Sequence, residues 1–144
     1  MCGIFCCISH HAPLPSTLGI ESLLRQRGPD HYGRVDIEFV NSSESGDKEA
    51  RKRYITLAAS VLALRREYDG LPIAQPLPLP DDRGFLLWNG EAWRYDDKLI
   101  TGSDTRFIAA RLAEVSDESP DFHVETLAVL SRICLLYTSP SPRD

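Results

Sequence analysis

A chain of 144 residues with an ordinary apolar fraction of 42% has the length of one domain with a core of moderate size. A formal net charge of −5, with no basic stripe interleaved with aromatics, argues against nucleic acid as a partner. No apolar run nears the roughly 20 residues of a membrane-spanning helix, and the start lacks a signal peptide's basic segment and long apolar run, so the expectation is a soluble, cytoplasmic protein.

The chain opens MCGIFCCISHH, and residues 2–9 read as a buried strand, an apolar run too short for a helix. The segment PLPSTLGIESLLRQRGPD predicts a helix: Ser16 or Thr17 as cap, Leu18, Leu23 and Leu24 as apolar positions, Gly28 and Pro29 as the stop. In RVDIEFV, Val35, Ile37 and Phe39 alternate with charges, the pattern of a half-buried strand. NSSESGDKEARKR is polar enough to predict a solvated, mobile loop, and YITLAASVLAL predicts a further strand. The prolines of PIAQPLPLPDDRG predict an extended loop ending in a turn rather than a central strand. FLLWNG reads as a short apolar strand ending in a turn. GSDTRFIAARLAEV predicts a helix capped by Ser103, and DFHVETLAVLSRI a second helix. Strands and helices mix without a regular βαβ alternation, which predicts an α+β fold.

The final stretch changes character. CLLYTSPSPRD follows a helical pattern and turns abruptly Ser/Pro-rich, resembling a translated sequencing linker. Residues 134–144 are therefore expected to be a non-native or disordered tail. Cys2, Cys6, Cys7 and Cys134 form no CxxC pair, and the adjacent Cys6 and Cys7 point to opposite faces of a strand. No metal site is expected, and Cys6 and Cys7 are expected to be buried small hydrophobes.

Cys2 raises a chemical question. If Met1 is removed, one residue carries both a thiol and a free α-amine. A thiol attacks an amide only as thiolate, and its ordinary pKa is about 8.5. An α-amine titrates near 7.7–8.0, so a useful fraction is neutral and able to act as base. Gly3 behind it lets substrate approach the backbone closely.

Four short motifs follow in order: MCGI, QRGPD at 26–30, LALR at 62–65, and WNGE at 88–91 with GSDT at 102–105 behind it. Each is weak alone. In this order the chain resembles the type 2, N-terminal-nucleophile glutamine amidotransferase domain. Within that class it resembles the asparagine synthetases and, more closely, the asparagine synthetase domain-containing proteins, the latter through LALR followed by QP, DDRG and FLLWNGE. The resemblance covers residues 2–133. It implies an N-terminal-nucleophile hydrolase fold, with antiparallel sheets sandwiched between helical layers (αββα), incomplete at its C-terminus because the family's domain continues into further strands.

The resemblance also implies residue roles. Cys2 is the nucleophile and supplies the α-amine base. The Asn89 side-chain amide and the Gly90 N–H form the oxyanion hole, a pair of donors that must be held rigidly. Arg65 binds the α-carboxylate of glutamine, a task suited to a bidentate guanidinium. Glu91 and Asp104 accept from the α-ammonium, while Asp104 also compensates its helix dipole. Arg27 is a structural ion-pair partner, Arg66 a substitute for Arg65, and His10, His11, His31 and His123 are surface or loop residues. After NGE the chain continues Ala92–Trp93, where the family more usually has an aromatic and an asparagine. The implied reaction is hydrolysis of glutamine to glutamate and ammonia, which passes to a synthetase domain absent from this chain. ATP and magnesium belong to that domain. The competing readings are a non-catalytic binding module of the same fold, a hydrolase of another amide, and a structural domain whose Cys2 is coincidental.

Overall fold

The computed structural model describes residues 2–15, 19–41, 51–66, 70–80 and 82–135. Its elements in chain order are β1 (Gly3–Ser9), α1 (Ile20–Arg25), β2 (His31–Asn41), β3 (Arg51–Val61), β4 (Leu77–Pro78), β5 (Phe85–Leu86), β6 (Ala92–Tyr95), β7 (Lys98–Leu99), α2 (Asp104–Ala113), α3 (Phe122–Ser131) and β8 (Ile133–Leu135). The fold is mixed α+β and its strands pair antiparallel, in sheets ordered β1-β3-β2, β4-β5 and β7-β6-β8. Among the described residues no helix is long and apolar enough to cross a membrane.

The largest sheet is built on β3, which pairs on one side with β1, from Gly3↔Ser60 to Ser9↔Tyr54. On its other side it pairs with β2, from His31↔Val61 to Asn41↔Arg51. Side chains alternate between two faces. One face carries Gly3, Phe5, Ala58, Ser60 and Tyr32, and α1 packs on it through the buried Leu24. Gly3 leaves room there: a Cβ would come within 2.9 Å of Leu24 Cδ2 and Ser60 Oγ, so those side chains would have to shift. Farther along, the Thr56 hydroxyl donates to Asp36 at 2.6 Å and accepts from Leu14 N–H at 3.1 Å. Arg34 donates to Leu14 O and, at 2.9 Å, to Asp36. The hydrogen bond from Arg34 holds the Asp36 carboxyl below the usual carboxylate range.

The opposite face carries Ile4, Cys6, Ile8, Val35, Ile37, Ile55 and Leu57. Continuous apolarity in β1 suggested burial on both sides. Instead its residues alternate, with Ile4 48% and Ile8 60% exposed. Cys6 is exposed and Cys7 half-buried, which corrects the expectation that both are buried. Apolar character marks the faces a strand can bury, not those that a neighbour in fact covers.

The rest of the core lies around α2. Ile73, Leu77 and Ala109 form one cluster with Leu79 and Leu86. Ala92, Ile100 and Ile108 form another, with Trp88, Tyr95, Phe107, Leu112 and Ile133 packed against it. α2 starts where expected, at a Ser103 cap accepting from Arg106 N–H. α3 also forms, yet buries none of its residues.

Other boundaries differ from expectation. The α1 cap is Gly19 at φ 69°, not Ser16 or Thr17; those two and Leu18 lie outside the described residues, and Leu23 is 63% exposed. β2 and β3 extend past the predicted strands, taking Asn41 and Arg51–Arg53 from the segment read as a loop, whose residues 42–50 lie outside the described ones. Long-range pairing overrides local polarity there. The proline-rich segment contributes only the two-residue β4. FLLW is a strand only over Phe85–Leu86. Cys134 and Leu135, placed by sequence in the tail, pair in β8 with Arg94 and Ala92 of β6; residues 136–144 lie outside the described ones.

Candidate active site

Cys2 stands just before β1, half-buried against the end of β3. Its sulfur accepts from Leu62 N–H at 3.4 Å and lies 3.8 Å from Leu62 O. A backbone donor aimed at sulfur is a contact that a thiolate would keep. The Cys2 carbonyl accepts from Arg27 Nε at 3.3 Å. Arg27 therefore holds the backbone of the candidate nucleophile, where an ion pair was expected of it.

QRGPD is the clamp that shapes this corner. A Cβ on Gly28 would lie 2.5 Å from Val61 C and 2.8 Å from Leu62 N, so only glycine lets the two backbones pass. Asp30 N–H donates to Val61 O at 3.0 Å, and the Asp30 carboxylate accepts from Ala63 N–H at 2.8 Å. Arg66 closes on Asp30 at 3.5 Å and on Gly70 O at 3.1 Å. Thus Arg66 belongs to the clamp, and Arg65 points elsewhere.

Arg65 meets Glu91 at 3.6 Å and lies over the Trp93 ring, 4.5 Å from its centroid. Its Nη1 also reaches Ile100 O at 3.5 Å and Gly102 O at 3.4 Å. A cation and a carboxylate, each largely shielded, thus face one another, and the backbone of Arg65 is three residues from the Cys2 contact at Leu62. Three residues of chain span at most about 11 Å.

Asp104 takes a different position. It is 8% exposed, and one carboxylate oxygen accepts from Ala92 N–H at 2.9 Å and the Trp88 indole at 3.2 Å. The other accepts from Thr105 N–H at 2.8 Å and the Thr105 hydroxyl at 3.4 Å. Trp88 and Ala92 bracket Asn89, Gly90 and Glu91, so this carboxylate clasps both ends of the loop bearing them. The expected dipole role is met by position, since Asp104 is the first residue of α2.

Asn89 and Gly90 are exposed. Gly90 lies against Trp88: a Cβ there would stand 3.1 Å from Cζ2. A strand over FLLW was expected to lead into this turn, but the strand stops at Leu86. Gln75 replaces it: its buried amide oxygen accepts from Trp88 N–H at 2.7 Å, while its backbone carbonyl packs on Gly33 of β2. Among the described residues no hydrogen bond or ion pair joins Cys2 to Asn89, Gly90, Arg65, Glu91 or Asp104. The structure therefore brings together Arg65 with Glu91, and Asp104 with the ends of the Asn89–Glu91 loop, while Cys2 is tied to the LALR corner.

Asp30, Gln75 and Trp88 sit inside the sequence motifs without a role assigned from them, and Trp93 is marked there only as a departure after NGE; a side chain's reach across the fold has no local signature. His10, His11 and His123 are exposed as expected. His31, expected on a surface or loop, opens β2 half-buried, its Nδ1 without a hydrogen-bond partner among the described residues. Among the described residues no group of three or more His, Cys, Asp or Glu is placed to hold a metal ion.

The chain is similar to an asparagine synthetase domain-containing protein of Drosophila melanogaster, with 32% identity over 117 residues, 79% of this chain and 18% of that protein. It thus spans less than a fifth of that relative's length. The likeness supports kinship with proteins of that description. No family model matches the chain, and no solved structure matches it.

Proposed function

We propose that this chain is the glutaminase portion of an asparagine synthetase-like protein, a type 2 glutamine amidotransferase domain of the N-terminal-nucleophile class with its αββα fold. The observation that carries the reading is the Arg65–Glu91 pair, 3.6 Å apart, with Arg65 three residues along the chain from Leu62, whose N–H meets the Cys2 sulfur. Free glutamine is a zwitterion, and an arginine and a carboxylate facing one another offer both signs it needs. On binding, the substrate α-carboxylate takes the guanidinium and the α-ammonium takes Glu91, so the internal pair is exchanged for two external ones. Asp104, with its oxygens engaged by Ala92, Trp88 and Thr105, holds the loop and leaves the ammonium to Glu91.

In the proposed reaction Met1 is removed and the Cys2 α-amine takes the thiol proton. The sulfur attacks the side-chain amide carbon, and the carbonyl oxygen becomes an oxyanion held by Asn89 and Gly90. Collapse breaks the C–N bond, the nitrogen leaves as ammonia with the proton from the α-amine, and a thioester remains. Water then attacks the thioester, giving glutamate and the free thiol. Ammonia passes to a synthetase portion outside this chain; ATP and magnesium are assigned there, and no step above runs through them. The reading places the protein in the cytoplasm.

Glutamine hydrolysis by the purified chain, with intact-mass analysis, tests this. The expectation is a chain lacking one methionine that releases glutamate and ammonia, and a Cys2→Ala variant that does not. A chain that binds glutamine without hydrolysing it would support the non-catalytic module instead. Activity in a population retaining Met1 would sink the self-activation argument.

A further inference from the structure

Arg65 is held in an unusual way for a binding arginine. Its contacts to Ile100 O and Gly102 O, at 3.5 and 3.4 Å, are long for hydrogen bonds and weak. Its distance to Glu91, 3.6 Å, is that of a loose ion pair. The close contact is with a ring face: the guanidinium carbon lies 4.5 Å from the centroid of Trp93.

Trp93 has no other evident task. In β6, Ala92 points inward and is fully buried, whereas Trp93 points outward and is 40% exposed. Both core clusters omit it. Its backbone is nevertheless fixed, because Ile100 N–H donates to Trp93 O at 2.9 Å. The same Ile100 receives Arg65 through its own carbonyl. Ile100 thereby contacts both the Trp93 backbone and the Arg65 guanidinium.

We propose that Trp93 is a positioning residue, whose indole fixes the plane of the Arg65 guanidinium so that its N–H edge faces a bound amino-acid carboxylate. The inference rests on the glutaminase reading above. A guanidinium stacked on a ring uses only its faces, so all its donors remain in the plane, where a carboxylate is bound bidentately. Without the ring a long arginine side chain must be ordered by the substrate itself, at a cost in rotamer entropy. The stack persists whether the edge meets Glu91 or the substrate. It therefore strengthens ground-state and transition-state binding alike, which moves KM and leaves kcat.

Steady-state glutaminase kinetics on the purified chain test this. Trp93→Leu should raise KM for glutamine about tenfold, in line with a partly desolvated cation–π contact, and leave kcat within about twofold. Trp93→Phe, which keeps a weaker ring face, should raise KM less than about threefold. In an Arg65→Ala background, Trp93→Leu should add nothing further, because the partner is gone. Where Trp93→Leu fails to fold by circular dichroism, Trp93→Gln carries the same test, since this position already meets solvent. An active enzyme whose KM ignores the loss of the ring overturns the inference alone, as does an equal rise with and without Arg65. A wild-type chain that neither binds nor hydrolyses glutamine overturns the inference together with the glutaminase reading.

Discussion

Asp104→Asn separates a ligand from a clasp. The carboxylate of Asp104 accepts from Ala92 N–H, the Trp88 indole, Thr105 N–H and the Thr105 hydroxyl, and each of these partners donates. An amide offers one accepting oxygen, so one pair of these bonds is lost and the new NH2 faces donors. The Thr105 hydroxyl can turn away, but the Ala92 and Thr105 backbone N–H groups cannot. A hydrogen bond to a charged group contributes about 1.5–3 kcal/mol, and a buried donor left without a partner costs about 1–3 kcal/mol. With one strong and one weak bond lost at a side chain 8% exposed, the expected destabilisation is about 3 kcal/mol. Urea unfolding followed by tryptophan fluorescence reads it directly, as a lower midpoint at unchanged slope. In the remaining folded protein, kcat should fall, because the clasp also places Asn89 and Gly90. A loss below about 1 kcal/mol, with glutamine KM raised and kcat intact, would refute the clasp and make Asp104 an ammonium ligand.

Asn89→Ala should lower glutaminase kcat by roughly 100- to 1,000-fold with KM little changed, by analogy with other deleted oxyanion donors. Asn89→Asp should be no milder, since a carboxylate cannot donate; a nearly active Asn89→Asp enzyme would return Asn89 to a turn role. Arg65→Lys keeps charge but loses the planar fork and the ring stack, so KM should rise more than kcat falls, and an unchanged KM would show that Arg65 does not bind the carboxylate. Asp36 bears on pH: its folded-state carboxyl is held low by the hydrogen bond from Arg34, so its stabilising contribution is present above the ordinary carboxylate range and is lost as pH falls through the depressed value. Asp36→Asn should therefore cost stability at neutral pH and progressively less below about pH 4, and a difference that stays constant down to acid would show that the pair contributes nothing.

Much of this was readable along the chain. Alternation placed β2, since Val35, Ile37 and Phe39 must share one side of any strand they form. Ser103 announced α2, because capping is decided within one turn. Motif order nominated Cys2, Arg65, Glu91 and Asp104 as the residues of the proposed site, since a candidate group is a residue type before it is a position. Tertiary contact decided the rest. Only the fold could make Gly28 pass Val61, or let Gln75 replace a strand that ended at Leu86. Only the fold could turn Asp104 inward as a clasp across Trp88 and Ala92, and lay Arg65 on Trp93. A side chain's partners lie many residues away, so its local sequence states what it can donate, accept or bury, and packing chooses among those possibilities.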